Sequence, residues 1–169
     1  MSHEVESLRS PPLERFLVVW VWFLGESRDS GEFRLLIPKA LRVLERFVGL
    51  VRERKIPLED LVIVRNLSKN PDEYTHQVPQ AIAARHLVAQ GGSVHAGQQV
   101  SYILTSDQTR TALPPEVAGE GTVYDSERYV DLLCSSAANL LLPLGYDAKY
   151  LRSLFGGSGR YEVAAPKIS

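Results

Sequence analysis

Residues 67 to 104, LSKNPDEYTHQVPQAIAARHLVAQGGSVHAGQQVSYIL, constrain the fold more tightly than any other part of the chain. A polar turn around Asn70 and Pro71 leads to Tyr74. A helix is predicted to start at Pro79, where a missing N–H costs nothing because the first helical N–H groups have no intrahelical partner. It should stop at Gly91 and Gly92. The small residues Ala81, Ala83 and Ala84 let this helix approach a neighbour closely, while Arg85 and His86 lie within one turn of each other on its flank. Gly97 then turns the chain into a strand, Gln99 to Thr105, in which Val100, Tyr102 and Leu104 share one face.

Other elements follow by periodicity. Pro38 is expected in the first turn of a helix with Ile37, Leu41, Leu44, Val48 and Val51 at steps of four, three, four and three, ended by Lys55 and Pro57. Its other face carries Lys39, Arg42, Arg46, Arg52, Glu53 and Arg54, read either as a solvated surface or as a phosphate-facing stripe. Glu26 to Glu32 is a loop by composition, LVIV at 61 to 64 a short buried strand or extended segment, and Asp107 to Gly121 loop-like. A last long helix should begin at Asp125 or Ser126, bury Tyr129, Val130, Leu133, Ala137, Leu140, Leu141 and Leu144, and end at Gly145. A short helical turn, Ala148 to Phe155, follows, and residues 156 to 169 are expected to form a flexible tail. Phe16 to Leu24 is nine consecutive apolar residues, including Trp20 and Trp22. That run suits a strand in a local sheet, a wholly buried helix, or an apolar surface docking on another protein or another copy.

At 169 residues the chain can bury a real core. Its formal net charge of −1 confines any phosphate-binding surface to a local patch balanced by acids elsewhere. The single cysteine, Cys134, cannot form an internal disulfide, lies in an apolar helical stretch and reads as a small core residue. The opening MSHEVESL is acidic and polar, unlike a secretory signal, and the run from Phe16 to Leu24 is too short to span a bilayer. A cytoplasmic location, nucleoid-associated if DNA is bound, is expected, with no membrane partner.

Signatures of enzyme chemistry are missing. The chain has no G-x-S-x-G elbow, no G-K-[ST] phosphate loop, no G-x-G-x-x-G and no C-x-x-C pair. His76, His86 and His95 do not follow a zinc spacing, and no cofactor is implied.

The central stretch resembles the C-terminal thumb region of family B DNA polymerases, particularly the archaeal type. That family carries a pattern close to S/T-K-x-x-x-E-Y-x-x-x-x-P-H-V-x-A-A-x-x-L and then a Gly-initiated x-V-x-Y-I strand. Here it reads Ser68, Lys69, Glu73, Tyr74, Pro79, Ala83, Ala84, Leu87, Gly97, Val100, Tyr102 and Ile103. PLEDLVIVRNLSK looks like the family's P-x-E-x-L-V-I-x-K-x-L-S/T-K, YDSERYV like its Y-D-x-x-Y-Y, Gly145-Tyr146 like its F-G-Y, and LRSPPLERF like the opening R-R-D-T-P-P-L. The likeness covers about residues 8 to 155.

The resemblance implies an α+β fold, mainly α-helical with a small β-sheet: a thumb-like domain over residues 1 to 155, open to division into lobes of about 8–66 and 67–155. It also implies contact with double-stranded or primer-template DNA without base reading, in replication or repair. Position by position, Ser68, Lys69 and Tyr74 match a loop that approaches the DNA backbone. Arg9 matches one arginine of the opening motif and Arg65 a commonly basic position. Gln80 stands in place of the usual histidine, with an amide able to reach a phosphate or minor-groove acceptor, and Arg85 completes the candidate set. Thr75 replaces a commonly basic residue and Ser10 an acid.

The palm's D-T-D carboxylates, which hold the catalytic metals, are absent, as are the fingers and exonuclease motifs, so the chain is expected to be non-catalytic. Two roles are compatible with this. One is a DNA-binding thumb serving a polymerase split over several polypeptides, with Trp20 and Trp22 docking on the catalytic partner; Met1 is expected to mark a natural start rather than an excised domain. The other is an interaction or assembly module that kept the thumb fold and lost DNA binding, self-associating through residues 16 to 24.

Overall fold

A computed structural model describes residues 30–106 and 112–155. Among them are four α-helices and a three-stranded antiparallel sheet, the α+β, mainly helical class expected. They form two compact units, residues 56–126 and residues 30–55 with 127–155. Arg9, Trp20, Trp22, the apolar run 16–24 and the tail 156–169 lie outside the described residues.

The unit of residues 56–126 is built on its central strand. A 3-10 turn, Leu58–Leu61, leads into β1 (Ile63–Asn66), and β1 pairs antiparallel with β2 (Gln99–Leu104) in the register Ile63 to Tyr102 and Arg65 to Val100. The pairing runs on through Leu67 N–H to Gln98 O at 2.9 Å and Gly97 N–H to Leu67 O at 2.7 Å. On its other side β2 pairs with β3 (Ala112–Leu113), and Thr105 bridges Tyr124. Being central, β2 is covered on both faces at its C-terminal end: Val100, Tyr102 and Leu104 are buried as expected, and so is Ile103 on the opposite face.

Helix α2 (Pro79–Ala89) packs on β2, on β3 and on a 3-10 turn at Pro71–Glu73. Ala81, Ala83 and Ala84 have no exposed surface, in keeping with the close approach their small side chains permit. The helix stops where the glycines predict. Gly91 takes φ +88°, with its N–H on Val88 O at 3.0 Å and that of Gly92 on Leu87 O at 2.9 Å, the two bonds of a Schellman motif. A Cβ on Gly92 would stand 2.9 Å from Leu87 O, so neither position accepts a side chain without strain.

In the second unit, α1 (Ser30–Arg52) buries Ala40, Leu44, Val48 and Val51. Helix α3 (Ser126–Leu141) buries Tyr129, Val130, Leu133, Cys134, Ala137, Ala138 and Leu141. A 3-10 turn, Leu142–Leu144, ends at Gly145, and α4 (Ala148–Phe155) starts with Asp147 Oδ1 accepting the Tyr150 N–H at 2.7 Å.

Four expectations are corrected. Helix α1 begins at Ser30, so Pro38 lies inside it and residues 30–32 are helical rather than loop. An interior proline costs about 3 kcal/mol, and Pro38 falls on the exposed side while the apolar spacing of Ile37, Ala40 and Leu44 runs on across it. The strand expected at 61–64 sits two residues later and is mostly exposed, because β1 is paired on one side only among the described residues. Ala112–Leu113 is a strand within the expected loop, created by pairing with Ile103 and Leu104 rather than by local propensity. Helix α3 ends at Leu141, before Pro143, leaving Leu140 and Leu144 only half-buried.

Helix α1 also ends in a Schellman motif, Lys55 N–H to Leu50 O at 3.0 Å and Arg54 N–H to Val51 O at 3.1 Å, but its left-handed residue is Arg54 at φ +54°. Replacing Arg54 by Gly is expected to stabilise the protein by about 1 kcal/mol, read as a rise in the urea midpoint at constant slope. Burial pushes the Cys134 thiol up to about 11. A thiol reagent at pH 8 should therefore label Cys134 only as fast as the protein unfolds; stoichiometric labelling of native protein within the mixing time would contradict its place in the core.

Candidate nucleic-acid interface

The loop between β1 and α2 carries Ser68, Lys69 and Tyr74, three of the residues singled out from sequence. Leu67 is buried and paired to the strand, and the chain then emerges so that Ser68, Lys69 and Asn70 are all exposed. Tyr74 comes back beneath them. Its hydroxyl accepts the N–H of Ser68 at 2.9 Å and of Lys69 at 3.3 Å, and lies 3.2 Å from Ser68 Oγ. The phenol pKa is lowered, first by the Ser68 hydroxyl; burial, the next-largest influence, opposes this, and the two amides and the Lys69 charge add smaller lowering contributions.

The base of the loop is fastened from α2. Arg85 donates from Nε and Nη2 to Pro71 O at 3.2 and 3.0 Å, and from Nη2 to Tyr74 O at 3.3 Å. A guanidinium that bridges two carbonyls three residues apart fixes the turn between them. Glu73 accepts the Asn70 N–H at 2.9 Å, and Asn70 Oδ1 accepts the Ala96 N–H at 3.0 Å, joining the loop to the segment ahead of β2. A groove of about 540 Å³ runs beside this base, lined by Asn70, Asp72, Arg85, Val88, Ser93 and His95 among others.

Arg65 is exposed on β1, its Nη1 donating to the neighbouring Val64 O at 3.3 Å, and Gln80 is half-buried in the first turn of α2. Ser68, Lys69 and Tyr74 thus share one loop that Arg85 fastens from α2, with Arg65 and Gln80 on the elements at its two ends. Asn70 is visible in sequence only as a turn former; that its side chain ties the loop to Ala96 is a tertiary result, since that partner is remote in sequence, whereas the bond from Asn70 N–H to Glu73 is local.

A second polar cluster, in the other unit, escaped the sequence reading altogether. Glu127 at the start of α3 receives Arg52 of α1 at 2.9 Å and Arg152 of α4 at 2.6 Å, and Arg152 also meets Asp131 at 2.6 Å. Arg52 further donates to the Phe155 carbonyl. So Arg52, one of the stripe of cations on α1, is spent inside the protein, while Lys39, Arg42 and Arg46 are exposed.

The profile of DNA polymerase family B matches residues 24–154 of this chain. The geometry above is therefore that of a polymerase-related fold: the chain belongs to DNA polymerase family B. Among similar proteins are a DNA polymerase of Methanocaldococcus jannaschii, 34% identical over 85 residues, covering 48% of this chain and 5% of that one. DNA polymerase 3 of Saccharolobus solfataricus is 25% identical over 133 residues, covering 72% and 17%. The solved family B DNA polymerase of Pyrobaculum calidifontis shares the fold at a TM-score of 0.59 and 23% identity, over 75% of this chain and 17% of that one. The chain thus spans about a sixth or less of the length of these relatives.

The two arginines hold the Glu127 carboxyl at about 2, against an ordinary 4.5. Lowered in the folded state, this group adds stability that is complete above about pH 4.5 and disappears as the pH falls to about 2. Glu127→Gln should be less stable than the parent at pH 6, with the difference closing across that window, as followed by urea unfolding at a series of pH values. A constant difference down to pH 2 would assign the loss to packing instead.

Proposed function

We propose that this chain is the thumb of a family B polymerase, gripping duplex or primer-template DNA by its backbone without reading base sequence and without itself carrying the polymerisation chemistry. The loop Leu67–Tyr74 is the observation that supports this best. It offers consecutive exposed residues, a hydroxyl and a lysine, on a support tied by Arg85, Tyr74 and Asn70. Exposed hydroxyls, amides and cations on a rigid loop suit phosphate contact, which positions a protein on DNA and carries no sequence information. Arg65 and Gln80 extend the surface on either side of the loop, whereas Arg85 serves it by holding its shape.

The metal-binding carboxylates of polymerisation belong, in this reading, to a palm elsewhere in the polymerase, whether on the same polypeptide or on a separate catalytic subunit. With a net charge of −1 the affinity comes from a few local contacts and is modest. Fluorescence anisotropy of a labelled primer-template, titrated at two salt concentrations, is the direct test. Binding should weaken steeply with salt and be alike for unrelated sequences. Lys69→Ala should lower affinity uniformly and make the slope of log K against log salt shallower by about one. An unchanged slope would remove Lys69 from the interface, and no binding at low salt by a protein whose size rises with concentration would replace DNA contact by assembly.

A further inference from the structure

The Tyr74 hydroxyl receives the N–H groups of two successive residues, Ser68 and Lys69, at 2.9 and 3.3 Å, in an exposed setting beside the Ser68 hydroxyl. Successive backbone N–H groups converging on one oxygen are the means by which short loops bind anions. Here the oxygen they hold is a neutral phenol. The loop has other supports: Arg85 on Pro71 O and Tyr74 O, Asn70 on Ala96, Glu73 on Asn70, and Leu67 in the strand ladder. Its shape therefore survives without the phenol's bonds. The lowered pKa of Tyr74 reports the same local preference for a negatively charged oxygen.

We infer that the Ser68 and Lys69 amides form a phosphate-oxygen site that the Tyr74 hydroxyl closes in the unbound protein and gives up when a phosphate of the DNA backbone arrives. This rests on the DNA-binding reading for the source of the phosphate. A phosphate oxygen makes stronger bonds to N–H groups than a phenol does, and Lys69 adds its charge, so exchange is favourable once the anion is within reach. The phenol in turn keeps the two amides satisfied and the site ready while no DNA is bound. Tyr74 is thus a competitor for the site rather than a direct contact.

The test is to follow the backbone amide resonances of the whole chain during titration with inorganic phosphate and, separately, with a primer-template. In the parent protein both ligands should shift the Ser68 and Lys69 amides saturably. Tyr74→Phe, which removes only the competing oxygen from a half-buried ring, should bind phosphate about two- to tenfold tighter, the range expected for freeing a donor pair from one neutral partner. Equal or weaker binding by Tyr74→Phe would overturn the exchange, as would phosphate leaving both amides of the parent unmoved. DNA that binds without moving these amides would sink this site while sparing the DNA reading. Amides that respond to phosphate in a protein that does not bind primer-template would do the reverse, keeping an anion site and removing its DNA source.

Discussion

Helix α2 packs on β2 and β3 through a patch of buried alanines, and the loop ahead of the helix depends on that packing. Because Ala81, Ala83 and Ala84 bring nothing larger than a methyl group, Arg85 on the same helix lies near enough to reach Pro71 O and Tyr74 O. A larger residue at Ala81 or Ala84 would push α2 outward and take the guanidinium with it, since cores of native density yield little. Two other ties, Tyr74 to the Ser68 and Lys69 amides and Asn70 to Ala96, act on a loop whose base is already set.

The candidate interface owes little to net charge. Three of the chain's arginines are used internally, Arg85 on carbonyls and Arg52 and Arg152 on Glu127, and the candidate loop itself is served by the exposed Lys69, with Arg65 beside it. Such a surface suits a part of a larger machine. In the proposed reading, a thumb that is one of several regions holding DNA needs only a weak, sequence-blind grip, and strong local attraction would slow release.

The Glu127 cluster plays in its unit the part that Arg85 plays in the other. One carboxylate joins side chains from three helices, α1, α3 and α4, at positions far apart in sequence. All its members keep some contact with water, so each ion pair adds modestly to stability; its value lies in fixing the ends of three helices relative to one another.

How much could be read in advance follows from the range of the interactions involved. Elements governed by neighbours in sequence were legible: the start of α2 at Pro79, its stop at Gly91–Gly92, the strand after Gly97, the start of α3 at Ser126, and the larger part of the apolar stripes of α1 and α3, with Ile37, Leu41, Leu140 and Leu144 only half-buried. Proline geometry, left-handed glycine and helical period act within a few residues, so the chain alone determines them. The order of motifs from Ser68 to Ile103 also identified the family. What tertiary structure decided was every feature with a remote partner. Pairing with Ile103 and Leu104 made a strand of Ala112–Leu113, and β1, paired on one side only among the described residues, is mostly exposed. Arg85 became a support rather than a free cation, and Glu127 met Arg52 and Arg152. Side-chain identity limits what a residue can bond to, but only the folded chain brings the partner within about 3 Å, where a hydrogen bond forms at all.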